Sequence, residues 1–356
     1  MSDKNKFWVA LIGIGVSISS IQTIAVAKSS VQIENIVRER TVLAIERDLA
    51  VVPISEATLL EADKYFNSAL QKYEKQDHSG SLADYNRAIK LNPNDADFYY
   101  GRALLKETRL QDFQGGLADY TQAIKINPNY ANAYYNRGLL KYGKLQDYSG
   151  SLTDYNQAIK LNPNDADFYY GRGLLKGEKL QNVQGGLADY TQAIELNPKF
   201  ANAYYNRGLL KTFIQDYPGS LADYTQAINL NPNDADSYYN RGLIKETKLQ
   251  DIQGGLADYT QAIKINPKFA NAYYNRGLLK TVKFQDYRGS LADYNEAIKL
   301  NPNDGDAYYN RALLKHDFLN DLAGGITDLQ QAAKLFQKQG NIEFYQAAIA
   351  LIKSWQ

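Results

Sequence analysis

The chain has 356 residues, of which 44% are hydrophobic, a fraction that argues against global disorder. It holds 29 Tyr, 25 Gly, one Met and no Cys, so disulfides, thiolate zinc sites and a cysteine nucleophile are excluded. The net charge is +1, and outside Lys4, Lys6 and Asp3 the chain is neutral without basic runs, which argues against non-specific nucleic-acid binding and against steering onto an anionic membrane.

Lys4 and Lys6 precede an apolar run over residues 7–24, followed by Ala25, Val26 and Ala27. A positive region, a hydrophobic region and an A-x-A site predict a signal peptide over residues 1–27, cut after Ala27. The alternative is an uncleaved anchor, since about 20 apolar residues can span a bilayer. Ser17, Ser19, Ser20 and Gln22 make the run polar for a span. Either reading puts the remainder across the plasma membrane, periplasmic, secreted or tethered there. Residues 28–61 read as a linker or short N-terminal segment, with mixed charge over residues 31–49.

From there the chain repeats. Asn-Pro recurs with Pro93, Pro128, Pro163, Pro198, Pro232, Pro267 and Pro302, spaced by 35, 35, 35, 34, 35 and 35 residues. Each period holds two helical patterns, such as ANAYYNRGLLK (residues 131–141) and SLTDYNQAIKLNP (residues 151–163). In the second, Leu152, Tyr155, Ala158 and Ile159 fall on one helical face. Pro163 stops it, because the residue before a proline leaves the α region. Asn164 or Asp165 can then cap the next helix. In the first pattern Tyr134 and Gly138 share a face. Gly138 and Ala158 are expected to let the two backbones approach. Neither helix buries its apolar face alone, so hairpins must stack on neighbours.

This pattern resembles the tetratricopeptide repeat (TPR) family. Tyr134, Gly138, Ala158 and Pro163 stand where that family carries its aromatic, Gly/Ala, Ala and Pro residues. The resemblance implies an all-α fold, a right-handed superhelical solenoid of about eight hairpins. The repeats divide as 62–95, 96–130, 131–165, 166–200, 201–234, 235–269, 270–304 and 305–339. Residues 340–356 form a C-terminal capping helix over about 342–355. Most repeats carry one residue beyond the family's 34, near the hairpin turn, and the repeat at 201–234 lacks it. The small residue opening each second helix alternates as Ser81, Gly116, Ser151, Gly186, Ser220, Gly255, Ser290 and Gly325, which points to duplication of a two-hairpin unit. Residues 28–52 are similar to the start of exported bacterial trypsin-like proteases that carry such repeats, without any catalytic motif.

An Arg in each first helix and an Asp in each second lie equidistant from the turn. The predicted pairs are Arg102–Asp119, Arg137–Asp154, Arg172–Asp189, Arg207–Asp223, Arg241–Asp258, Arg276–Asp293 and Arg311–Asp328. They read as structural ion pairs, with an anion-binding Arg ladder as the alternative. In the first repeat Ser68 replaces the Arg.

On the first helices, Asp97, Tyr100, Gly101, Leu104 and Glu107 share one face. In TPR proteins this face lines the peptide groove. The resemblance therefore implies groove residues Tyr100, Tyr135, Asn136, Tyr170, Tyr205, Asn206, Tyr239, Asn240, Tyr274, Asn275, Tyr309 and Asn310. Asn amides both donate and accept, and Tyr offers apolar area with a polar tip. The alternative role for these tyrosines is to seal neighbouring first helices. The family's Lys/Arg clamp for C-terminal carboxylates is missing from these columns, and the groove is expected to be neutral in net terms. The chain reads as a non-enzymatic scaffold for other proteins or peptides, with no nucleic acid partner, no cofactor and no metal. A regulatory subunit or remnant of an exported protease system, and a self-assembling array, are the alternatives. His78 and His316 are expected at the surface and far apart, and no nucleophile-elbow or phosphate-loop motif occurs. The Gly-Gly pairs, such as Gly115-Gly116, are expected to serve helix packing rather than an anion.

Overall fold

A computed structural model describes residues 54–356. The predicted signal peptide and the segment at 28–52 lie outside the described residues. Every regular element among the described residues is helical. None of these helices is long and apolar enough to cross a membrane.

The chain divides into two compact units at Pro198 and Lys199. In the first, four hairpins are formed by α1 (Glu56–Glu74) with α2 (His78–Leu91), α3 (Ala96–Thr108) with α4 (Phe113–Ile126), α5 (Ala131–Leu140) with α6 (Tyr148–Leu161), and α7 (Ala166–Leu174) with α8 (Val183–Leu196). In the second, four more are formed by α9 (Ala201–Phe213) with α10 (Tyr217–Leu230), α11 (Ala235–Thr247) with α12 (Ile252–Ile265), α13 (Ala270–Leu279) with α14 (Tyr287–Leu300), and α15 (Gly305–Leu319) with α16 (Leu322–Lys338). The last helix, α17 (Ile342–Trp355), packs on α16. We number the hairpins 1 to 8 in chain order.

Helix boundaries follow from local chemistry. Each second helix opens on an Asp or Asn cap. In hairpin 3 the Asp147 carboxylate accepts the Gly150 N–H at 2.9 Å, an interaction of about 1 kcal/mol. This capping uses the first glycine of each Gly-Gly pair, as at Asp112 and Gly115. The second glycine serves close packing: a Cβ on Gly255 would stand 3.2 Å from the Gly242 carbonyl oxygen. Where this position is Ser, its hydroxyl donates to the first helix instead, as from Ser151 to the Gly138 carbonyl at 2.8 Å. First helices of the even hairpins are capped by Asp, with Asp165 accepting the Asp167 N–H at 2.9 Å. The first helix begins at Glu56, earlier than the repeat start expected at Ala62, so the end of the expected linker is helical. Ser55 caps it through the Thr58 N–H.

Within each hairpin the core is the aromatic of the second helix. Tyr85, Tyr120, Tyr155, Tyr190, Tyr224, Tyr259 and Tyr294 are buried, with Leu329 in hairpin 8. Each such burial contributes about 1.5–3 kcal/mol. This ring is what the glycine of the first helix makes room for. A Cβ on Gly138 would meet the Tyr155 ring at 3.0 Å.

The additional residue is absorbed at the end of the first helix. Hairpins 3, 4 and 7 close there with π turns at Lys141–Leu145, Leu175–Lys179 and Lys280–Phe284. A single inserted residue widens a helical turn in this way. Hairpins 2 and 6 use one wide bond, from Leu110 N–H to the Leu105 carbonyl at 3.2 Å and from Leu249 N–H to the Ile244 carbonyl at 3.1 Å. Hairpin 1 lacks the residue as hairpin 5 does: the Asp77 and Asp216 N–H groups reach back to Lys72 and Lys211. Every turn then places one residue in the left-handed region, a Gln at φ between 52° and 64° in hairpins 1–7 and Asn320 in hairpin 8.

Candidate peptide-binding face

The seven arginines each meet their aspartate in a two-pronged contact. In hairpin 3 Arg137 Nε and Nη2 donate to the two Asp154 oxygens at 3.0 and 2.7 Å. A lysine one turn further on takes the same carboxylate, Lys141 to Asp154 at 2.8 Å. Lys106, Lys176, Lys211, Lys245, Lys280 and Lys315 repeat this. The lysines were missed in the sequence, although their i+4 spacing from each Arg was legible. In most hairpins the Arg Nη1 also donates to the preceding hairpin's second helix, from Arg102 to Asn86 at 2.7 Å and from Arg311 to Asn295 at 2.7 Å. Each guanidinium lies over the Tyr one turn before it, Arg137 at 5.5 Å from the Tyr134 ring. These arginines are held by protein groups on three sides. In hairpin 1 Ser68 and Lys72 bond Asp84 in place of an Arg.

The tyrosine and asparagine columns turn out to be partly internal. Tyr100, Tyr135, Tyr170 and Tyr239 are buried, as are Asn136, Asn206 and Asn240. These residues seal hairpins rather than face a ligand, which corrects the expectation that the whole set lines a groove. The Asn amide of one hairpin donates to the Tyr hydroxyl of the hairpin before it. The bonds run from Asn136 to Tyr100 at 2.6 Å, Asn240 to Tyr205 at 3.3 Å, Asn275 to Tyr239 at 3.1 Å and Asn310 to Tyr274 at 2.9 Å.

A second aromatic covers each buried ring, and it comes from two alternating places. In even hairpins it is the third residue of the first helix: Phe98 lies 5.1 Å from Phe66, and Phe168 lies 4.9 Å from Tyr135. In odd hairpins it is the residue just before the helix: Tyr130 lies 4.9 Å from Tyr100, and Phe269 lies 4.8 Å from Tyr239. Hairpins 6 and 8 have neither. Their cap residues are Asp234 and Asp304, and their third residues are Ser237 and Ala307. The rings beneath, Tyr205 and Tyr274, stay half-open. Tyr309 also stays half-open, with Phe344 of α17 at 6.3 Å from it. Asn275 and Asn310 are half-buried.

The face is also more acidic than expected. Its five columns carry Asp97, Glu107, Asp167, Asp236, Glu246 and Asp306, and no Lys or Arg stands in any of them. Burial pushes the Glu107 carboxyl up to about 7, against a hydrogen bond from the Tyr120 hydroxyl at 2.8 Å. Burial, and then the neighbouring Asp234, push Asp236 up to about 6.

Neither histidine is open to solvent in the manner expected. His78 is half-buried near Tyr73, ring centroids 6.4 Å apart, and His316 stacks on Trp355 of α17 at 3.9 Å. Among the described residues no group of three or more acidic or histidine side chains could hold a metal ion.

An array of helical hairpins with internal ion-pair locks and an open first-helix face defines an interaction scaffold. The profile described as "TPR repeat" matches residues 69–108, 106–144, 140–179, 214–248, 245–280 and 283–317, more than half of the chain. The chain belongs to the tetratricopeptide repeat family, whose arrays are protein–protein interaction scaffolds and are as a rule non-catalytic. Among solved structures it is similar to a tetratricopeptide repeat protein from Parabacteroides merdae ATCC 43184, at 21% identity over 72% of this chain and 97% of that one, with a TM-score of 0.51. It is similar to Pseudomonas aeruginosa pilF at 14% identity, 60% and 95% coverage and a TM-score of 0.53. It is also similar to YrrB, described as a TPR protein with an unusual peptide-binding site, at 24% identity, 54% and 97% coverage and a TM-score of 0.46. These likenesses speak to the fold alone. No curated relative matches the sequence.

Proposed function

We propose that the chain captures extended protein segments along its first-helix face. The observation that carries this is the half-open state of Tyr205, Tyr274 and Tyr309, together with the half-buried Asn275 and Asn310, whose amides are already fixed by hydrogen bonds. Tyr has few rotatable bonds, and a held Asn loses little freedom on binding, so such a surface is prepared for a ligand. Tyr135, buried under Phe168, takes no part.

The test uses the outermost column, where Asn202 is half-buried and Asn271 exposed. Asn202→Trp with Asn271→Trp fills the face without entering the core. Capture of extended peptides from a defined bead library should fall at least tenfold while the circular dichroism of the array is unchanged. A folded variant with undiminished capture overturns the reading. The N-terminal sequence supports a further reading, that the array works beyond the plasma membrane. N-terminal sequencing of the protein from the exported fraction should begin at Lys28, and recovery of the chain solely from the cytoplasm refutes this.

A further inference from the structure

Within the second unit, Tyr205 and Tyr274 are equivalent positions that share one local arrangement. The Asn240 amide nitrogen donates both to the Tyr205 hydroxyl at 3.3 Å and to the Asp236 carbonyl at 2.9 Å. The Asn310 amide nitrogen does the same, to the Tyr274 hydroxyl at 2.9 Å and to the Asp306 carbonyl at 3.0 Å. One amide thus pins a half-open aromatic ring beside an aspartate, twice.

Both aspartate side chains are unmatched. Among the described residues no hydrogen bond or ion pair reaches the Asp236 or Asp306 carboxylate, whereas Asp97 accepts the Tyr130 hydroxyl at 2.8 Å. The nearby cations are committed elsewhere: Arg241 and Lys245 to Asp258, Arg276 and Lys280 to Asp293, Arg311 and Lys315 to Asp328. After burial itself, Asp236 is the charge that most raises the Tyr205 hydroxyl, and Asp306 the one that most raises Tyr274. Each carboxylate therefore acts on the very ring left uncovered.

A half-open tyrosine ring that lacks an aromatic cover, beside an uncompensated carboxylate, is complementary to an organic cation. The ring face attracts it through its quadrupole, and the carboxylate supplies a charge-assisted hydrogen bond. An aromatic side chain would satisfy the ring and leave the acid unpaired.

We propose that Tyr205–Asp236 and Tyr274–Asp306 are two matched positions that hold lysine or arginine side chains of an extended basic peptide. This rests on the groove reading above and gives it a charge preference. Missing cover from Phe or Tyr at hairpins 6 and 8 is what opens the two positions. Phe168 with Gly171 in hairpin 4 shows the closed form of the same site.

The experiment is fluorescence anisotropy on the full chain with three labelled peptides, in which glycine alternates with lysine, with glutamate or with phenylalanine. The lysine peptide should bind and the glutamate peptide should not. Asp236→Asn with Asp306→Asn should weaken lysine-peptide binding at least tenfold and leave the thermal midpoint equal or higher. Glu195→Gln with Glu343→Gln changes the net charge equally at exposed sites and should stay within twofold of the native chain. A second variant, Ser237→Phe/Asn240→Gly with Ala307→Phe/Asn310→Gly, recreates the closed form and should also abolish binding. Lysine-peptide affinity within twofold of native for the doubly amidated variant overturns the proposal. Tight binding of the phenylalanine peptide, unaffected by that variant, overturns it while leaving the groove reading intact. Failure of all three peptides overturns both.

Discussion

Replacing Asp154 by Asn removes one negative charge that three bonds converge on. Arg137 Nε and Nη2 and Lys141 Nζ lie between 2.7 and 3.0 Å from its oxygens. The aspartate side chain is 2% exposed and the arginine 15%. Removing one partner of a buried pair costs about 3–5 kcal/mol, because the remaining charge is left unmatched. Here the stranded charges number two, but both side chains retain some exposure and can lean toward water. We therefore expect about 3 kcal/mol. Asp84→Asn in hairpin 1 is the internal comparison. Its cation, Lys72, is 37% exposed, and a pair that open contributes about 0.2–1 kcal/mol. Repeat arrays open in parts, so a single global midpoint is a poor measure. The assay is native-state hydrogen exchange of the α5, α6, α1 and α2 amides, supported by urea unfolding. The reasoning is refuted if Asp154→Asn costs no more than Asp84→Asn. The triple change Arg137→Met, Lys141→Met and Asp154→Leu should be close to neutral, since it strands no charge.

Three further outcomes follow from buried or strained single residues. Glu107 titrates near 7 in the fold and near 4.3 when unfolded, so the native state holds the extra proton and stability declines as pH rises from about 4.5 to 7. Glu107→Gln should add about 2–3 kcal/mol at pH 8, almost nothing at pH 4, and flatten the pH dependence of urea midpoints between them. Among the described residues the Tyr85 hydroxyl is buried without a hydrogen-bond partner, whereas the Tyr224 hydroxyl lies 3.3 Å from the Thr212 hydroxyl. Thermal scans should show Tyr85→Phe neutral or up to about 1 kcal/mol more stable, and Tyr224→Phe less stable by about 0.5–1 kcal/mol. Gln111 holds a left-handed conformation at φ 55°, which costs an L residue about 1–2 kcal/mol. After the entropy of glycine is offset, Gln111→Gly should raise stability by about 0.5 kcal/mol in urea unfolding, and a loss of stability would contradict the strain argument.

The hairpins could be read from the sequence because their causes are local and periodic. Proline spacing sets the helix ends, and the equal distance of Arg137 and Asp154 from the turn puts them at one height. The exposure of the tyrosine column could not be read that way. Whether Tyr135 or Tyr205 meets solvent depends on an aromatic from the next hairpin, and that aromatic sits on either side of the cap. Phe168 and Phe269 are one signal written in two registers. Ser237 and Ala307 are its absence, which becomes visible only when both registers are compared. The lysine of each ion-pair lock was legible, but nothing in a single helix says that its ammonium turns toward the neighbouring helix and not toward water. Glu107 needed the fold for a similar reason, because its burial comes from residues beyond its own helix.

The two registers of ring cover also bear on how such a chain changes length. Within each unit an odd hairpin differs from an even one in its Ser or Gly contact and in where it supplies its covering ring. Excision or copying of a single hairpin sets two like types side by side and creates a junction not otherwise present. Excision or copying of a pair leaves junctions of kinds already present, with Asn86 or Thr121 equally able to accept the arginine that follows. Recombination between near-identical stretches of the gene would then be tolerated in steps of two hairpins, and alleles of this locus should differ by about 70 residues (two periods of roughly 35) more often than by one period.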